Sequence, residues 1–107
     1  MEGVEDLGKI ITLMTASDVH KRWTLESTER LIAPPMTLGQ YMLVSDRADF
    51  PIAFATWAFL NEEAERGYLT RTRKLQPEDW DDGDRLWIVD FVAPYGDVHG
   101  IVKLLQK

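Results

Sequence analysis

Glu78–Asp97, EDWDDGDRLWIVDFVAPYGD, decides how the rest of the chain is read. It opens on an acidic turn containing a glycine (Asp81, Asp82, Gly83, Asp84) and closes on Pro94 and Gly96-Asp97. Between them, Leu86–Ala93 is apolar except for one carboxylate, Asp90. An apolar run of this length, bounded by turn residues and rich in Ile, Val, Phe and Trp, predicts a strand buried on both faces. A carboxylate inside such a strand is costly unless it is paired or used. Asp90 therefore has either a structural ion pair, with Arg85 or Lys21, or a catalytic partner whose imidazole it orients.

Upstream, Gln40–Ser45 (QYMLVS) and Ile52–Leu60 (IAFATWAFL) are rich in strand formers and joined by the polar link Asp46–Pro51. They predict an antiparallel hairpin with a loop longer than two residues. Ile52–Leu60 is apolar on both parities, so both of its faces should be covered. Asn61 is a candidate N-cap, with Glu62 and Glu63 in a first turn where the helix dipole favours anions. That helix should reach about Leu69, and Thr70–Gly83 reads as a polar connection to the strand Arg85–Ala93. Near the start of the chain, Val4, Leu7, Ile11 and Met14 recur at helical spacing. A second helix is predicted from near Thr24, with Leu25, Thr28, Leu31 and Ile32 on one face. Pro34-Pro35 should end it, since neither residue supplies an amide donor. Asp97 is a candidate cap for a last helix holding Ile101, Leu104 and Leu105. The order of elements predicts one α/β (α+β) layered domain over residues 1–107, with a mostly antiparallel sheet and helices on both faces.

A chain of 107 residues is long enough for one core. It contains no cysteine, which removes disulfides, thiolate nucleophiles and zinc–sulfur sites together. The net charge of −6 argues against nucleic acid as a partner. No stretch is long and apolar enough for a membrane span, and Met1–Met14 is acidic where a secretory leader is basic. A cytoplasmic location is the expectation. No glycine-rich dinucleotide or P-loop pattern is present. The acidic pairs Glu62-Glu63 and Asp81-Asp82 have no histidine at ligand spacing, so no metal site is expected.

Two histidines exist. His99 lies on a predicted surface turn. His20 follows Ser17-Asp18-Val19 and precedes Lys21-Arg22, and it reads either as a surface residue at a helix start or as a general base, since a neutral imidazole can accept a proton near neutral pH. Trp57 and Trp87 read as core. Arg66, Arg71, Arg73 and Lys74 form a local basic cluster, which is either a solvated face or a docking patch for an acidic partner.

Taken together, four stretches resemble one known family: Ser17-x-x-His20-x-x-Trp23; Gln40-Tyr41; Asp49-Phe50-Pro51-Ile52-Ala53 leading to Trp57; and Glu78-Asp79-Trp80 through Gly83-Asp84-Arg85, Trp87, Asp90, Ala93-Pro94 and Gly96-Asp97. The chain resembles the lysine acyltransferases that activate RTX toxins, from about Leu13 to Lys107. The resemblance implies a GNAT-like fold, similar to the GCN5-related N-acetyltransferases. It implies transfer of a fatty acyl chain from acyl carrier protein to an internal lysine of an RTX-type protoxin. It makes His20 and Asp90 the catalytic pair and Ser17 a supporting residue. No cofactor is expected to be bound, because the acyl-phosphopantetheine arrives on the carrier protein.

Gly96 and Asp97 are then candidates for contact with the acyl donor, as a helix N-terminus can bind phosphate. Arg66, Arg71, Arg73 and Lys74, with Lys21-Arg22, become candidates for docking the acidic carrier. Family members usually continue through further strands after the Asp90 strand. The expectation is thus a sheet without its C-terminal strands, whose open edge a homodimer would cover. The alternative is a non-catalytic relative that binds carrier protein or a toxin-like partner. A small-molecule acetyltransferase using coenzyme A is disfavoured, since no Gln/Arg-x-x-Gly-x-Gly/Ala loop follows the third strand.

Overall fold

The computed structural model describes residues 3–96 and 98–105, without the side chains of Val98, Leu104 and Leu105. Its elements are α1 (Val4–Thr15), a 3-10 turn (His20–Arg22), α2 (Leu25–Leu38), β1 (Tyr41–Ser45), β2 (Pro51–Leu60), α3 (Glu62–Thr70), a second 3-10 turn (Pro77–Asp79), β3 (Arg85–Val92) and α4 (Val98–Leu105). The strands form one antiparallel sheet in the order β1-β2-β3, which is the expected α+β class. β2 is central, and most of its side chains on both parities are buried, as its apolar pattern required.

β3 is different. It is an outer strand of the sheet among the described residues, as β1 is, and Leu86 and Ile88 are 59% and 46% exposed while Trp87 and Val89 pack inward. The expectation of burial on both faces is therefore corrected: the face of Leu86 and Ile88 is open over the first half of β3 and covered only from Asp90 to Val92. An apolar run fixes the strand but not its place in the sheet.

Contacts divide the chain into two units. One draws on Met1–Arg22, Met42–Ala55 and Asp90–Lys107, the other on Trp23–Tyr41 and Thr56–Val89. In the first, α1 buries Ile10, Leu13 and Met14, while Val4, Leu7 and Ile11 are exposed. Its inner face is thus rotated from the one expected, because both sets of residues recur at helical spacing. α4 contributes the buried Ile101, and it carries the exposed His99 on a helix where a turn was expected.

The second unit is built on Ala58, Leu60, Ala64, Leu75 and Trp80, with Leu31, Tyr68, Trp87 and Val89 packed against them. Gln40, nearly buried, donates from its amide to the carbonyls of Trp57 (2.9 Å) and Trp80 (3.0 Å). Asn61 caps α3 by accepting the Ala64 amide at 2.8 Å, and Thr24 caps α2 by accepting that of Ser27 at 3.0 Å. Pro34-Pro35 does not end α2. The helix runs on to Gly39, whose positive φ of 72° closes it, and Leu25 at its start is exposed. Two adjacent prolines leave the Leu31 carbonyl without an amide donor at either i+3 or i+4, and the rest of the helix carries that cost.

Candidate active site

All parts of the site lie in the first unit. α1 ends at Thr15, and the chain turns through Ser17 into the 3-10 turn that begins at His20. The Ser17 hydroxyl oxygen accepts the His20 backbone amide at 3.3 Å and lies 2.7 Å from His20 Nδ1. The other ring nitrogen, Nε2, lies 2.9 Å from Asp90 Oδ1 on β3, across 70 residues of sequence. Phe54 of β2 packs edge-on against the imidazole, with ring centroids 6.5 Å apart at 78°. Each side chain of the pair is 12% exposed. The ring is therefore held at both nitrogens and on one flank, at the edge of solvent.

Asp90's partner is thus His20. The two other cations considered for it are engaged elsewhere: Arg85 Nε lies 3.1 Å from Glu65, and Lys21 Nζ lies 3.2 Å from Asp18. Burial pushes the Asp90 carboxyl above the usual carboxylate range, against the opposing pull of the hydrogen bond and charge of His20. With an ionised Asp90, hydrogen bonding assigns the ring proton to Nε2, and the Nδ1 lone pair receives the Ser17 hydroxyl. The Ser17 oxygen can do this while accepting the His20 amide. A chain of Ser17, His20 and Asp90 can accept a proton at the serine end and stabilise the imidazolium at the carboxylate end.

Gly96 has a positive φ of 94° and donates its amide to the Ala93 carbonyl at 3.3 Å. Asp97 lies outside the described residues. The basic cluster belongs to the second unit. Arg66 pairs with Glu62 at 3.4 Å, and Arg73 makes a 2.6 Å bond to the buried Asp79. Arg71 closes α3 with a left-handed backbone (φ 58°). Arg30, Arg71, Arg73 and Lys74 line a cavity of about 670 Å³. Arg73 is therefore part of the fold, which leaves Arg71 and Lys74 as the members of this cluster with no salt bridge among the described residues. No three His, Asp or Glu side chains converge as a metal site would need, among the described residues. No helix there is long and apolar enough to cross a membrane.

Sequence reasoning missed Phe54 as the packing partner of His20. Its position in β2 was legible, but the face it shares with Asp90 follows from strand register alone. Trp80 was also missed as core. It is fully buried, with its indole N–H unpaired, and Gly83 makes room for the neighbouring backbone.

Known proteins are similar to this chain in sequence. The protein-lysine myristoyltransferase of Kingella kingae is 37% identical over 107 residues, covering 100% of this chain and 64% of the relative. The leukotoxin-activating lysine-acyltransferase of Mannheimia haemolytica serotype A1 is 44% identical over 102 residues, covering 94% of this chain and 60% of the relative. A protein-lysine myristoyltransferase of Escherichia coli is 36% identical over 104 residues, covering 97% and 61%. The chain thus spans about three fifths of the length of the curated relatives it matches. The RTX toxin acyltransferase family model matches residues 1–107, and the chain belongs to that family.

Proposed function

We propose that this chain carries the catalytic pair of a protein-lysine fatty acyltransferase acting on an RTX-type protoxin, with acyl carrier protein as donor. The observation that supports this reading is the hydrogen-bonded chain from Ser17 through His20 to Asp90. It supplies what aminolysis of a thioester needs. A neutral lysine ε-amine attacks the thioester carbonyl and forms the C–N bond. The proton that the nitrogen then sheds passes to His20, through the Ser17 hydroxyl that occupies Nδ1. Asp90 stabilises the imidazolium through Nε2. As the C–S bond breaks, the imidazolium returns the proton to the departing thiolate. In the runner-up course, His20 first takes the acyl group itself, but that requires Nδ1 to leave its bond with Ser17.

We assign carrier docking to Arg71 and Lys74, with Arg66, since local charge rather than net charge steers docking. The deciding experiment supplies acyl carrier protein with a labelled acyl chain and a lysine-bearing RTX protoxin. Wild type should label the protoxin, while His20→Ala and Asp90→Asn should be deficient. No transfer by wild type overturns the enzyme reading. Transfer that survives His20→Ala overturns the mechanism.

A further inference from the structure

Two large aromatic side chains of the first unit stand in water against each other. Phe50 is 48% exposed and Tyr95 is 58% exposed, with ring centroids 6.1 Å apart at 49°. The loop that presents Phe50 is tightly built. The Asp46 carboxylate accepts the amides of Ala48 (2.9 Å) and Phe50 (3.0 Å), and the Asp46 amide bonds the Phe50 carbonyl at 2.9 Å. Asp49 takes a left-handed backbone (φ 63°), and its carboxylate is held by Lys9 of α1 at 2.8 Å. This much local order fixes the place of an exposed phenyl ring, which by itself stabilises little.

What the pair is continuous with gives it a use. Phe54 and Asp90 both touch His20, so they share one face of the sheet. Alternation along β2 puts Ile52 on that face too, and Phe50 stands next in the row, at the end where β2 begins. On β3 the corresponding row runs from Asp90 to the buried Val92, and the chain then turns through Pro94 to Tyr95. At ~3.3 Å per residue, Phe50 lies roughly 13 Å along the strand from Phe54. An apolar row thus runs from the imidazole to an exposed aromatic pair.

We propose that Phe50 and Tyr95 receive the distal part of a long acyl chain whose carbonyl is at His20, and so set the preference for chain length. This rests on the acyltransferase reading above. The rings offer a methylene chain flat apolar contact at little cost in side-chain entropy, because they are already positioned.

The experiment compares wild type with Phe50→Ala, Tyr95→Ala and the double variant, using butyryl and myristoyl groups on acyl carrier protein. The ratio of kcat/KM for myristoyl over butyryl should fall about tenfold in the double variant, the scale of losing apolar contact for several methylenes. Phe50→Leu, which keeps an apolar side chain, should retain most of the ratio. An unchanged ratio overturns the proposal, including the case in which both donors lose rate equally because carrier or protoxin docks at the pair. A second arm needs no transfer: wild type should bind the fluorescent fatty acid cis-parinaric acid, and the double variant should bind it at least about fivefold more weakly. If wild type transfers nothing but this difference holds, the acyltransferase reading fails and the acyl surface stands. If transfer occurs and neither readout moves, the reverse is true.

Discussion

His20 Nε2 and Asp90 Oδ1 lie 2.9 Å apart, and the carboxyl of that pair is held above its usual range by burial. A carboxyl raised in the folded state binds protons there more readily than in the unfolded chain. Its contribution to stability therefore falls as pH rises through the folded value, and it is most favourable below the ordinary carboxylate value. Asp90→Asn removes this titration while keeping an acceptor for Nε2–H. Thermal melts should show a variant whose stability, relative to wild type, improves from mildly acid to neutral pH, although its transfer rate falls. A relative stability independent of pH would contradict the assignment.

Ser17 separates positioning from nucleophilic attack. If its hydroxyl relays a proton to Nδ1, Ser17→Ala should lower kcat by about 10- to 100-fold, with water substituting in part, and Ser17→Thr should recover much of the loss. A loss as deep as that of His20→Ala, with a labelled ester trapped on Ser17, would make the serine the acyl carrier.

Gly83 tests the close approach of the chain to the end of β2. A Cβ at this position would meet the Leu60 carbonyl oxygen at 2.2 Å and the Asn61 nitrogen at 2.4 Å, both of them backbone atoms that cannot step aside. Gly83→Ala should cost about 1–3 kcal/mol or more in denaturant unfolding, the range for overpacking that forces backbone shifts.

Pro34 offers the opposite sign. Alanine there would restore an amide able to bond the Arg30 carbonyl, so Pro34→Ala should stabilise by about 1–3 kcal/mol, given the usual penalty of proline inside a helix. A destabilised variant would mean that the surface the proline ring covers outweighs the missing bond.

For carrier docking, Arg71→Glu with Lys74→Glu is the informative pair of changes. Arg73→Glu is not, because it strands the buried Asp79 and should cost about 3–5 kcal/mol in folding. Carrier affinity should drop in the first variant, and the drop should shrink as salt is raised. Equal affinity at low salt would move the docking site elsewhere.

Features set by local chemistry were legible in the sequence. Asn61 and Thr24 cap helices where a short polar side chain precedes a helical pattern, and Glu62 pairs with Arg66 one turn on. His20 and Asp90 stood out as chemically awkward, but their pairing came from the family motifs, since no spacing rule joins residues so far apart. What failed depended on tertiary context. Leu86 and Ile88 look identical to core residues until the sheet leaves β3 at its edge, and α1 offers two overlapping apolar faces of which only Ile10, Leu13 and Met14 are used. The prolines of α2 obey their local rule and are overridden, because the flanking residues Ile32 and Leu31 remain packed.

The long separation between His20 and Asp90 also bears on when the site comes into being. Bringing together residues 70 apart costs about 4 kcal/mol of loop-closure entropy, which local helix formation around Ser17 cannot repay. During synthesis, the Ser17–His20 turn can form as soon as it leaves the ribosome, but its carboxylate arrives only when β3 has docked on β2. Formation of the His20–Asp90 pair thus waits on completion of the sheet. A chain stalled before Asp90 would carry the histidine with nothing to hold its second nitrogen.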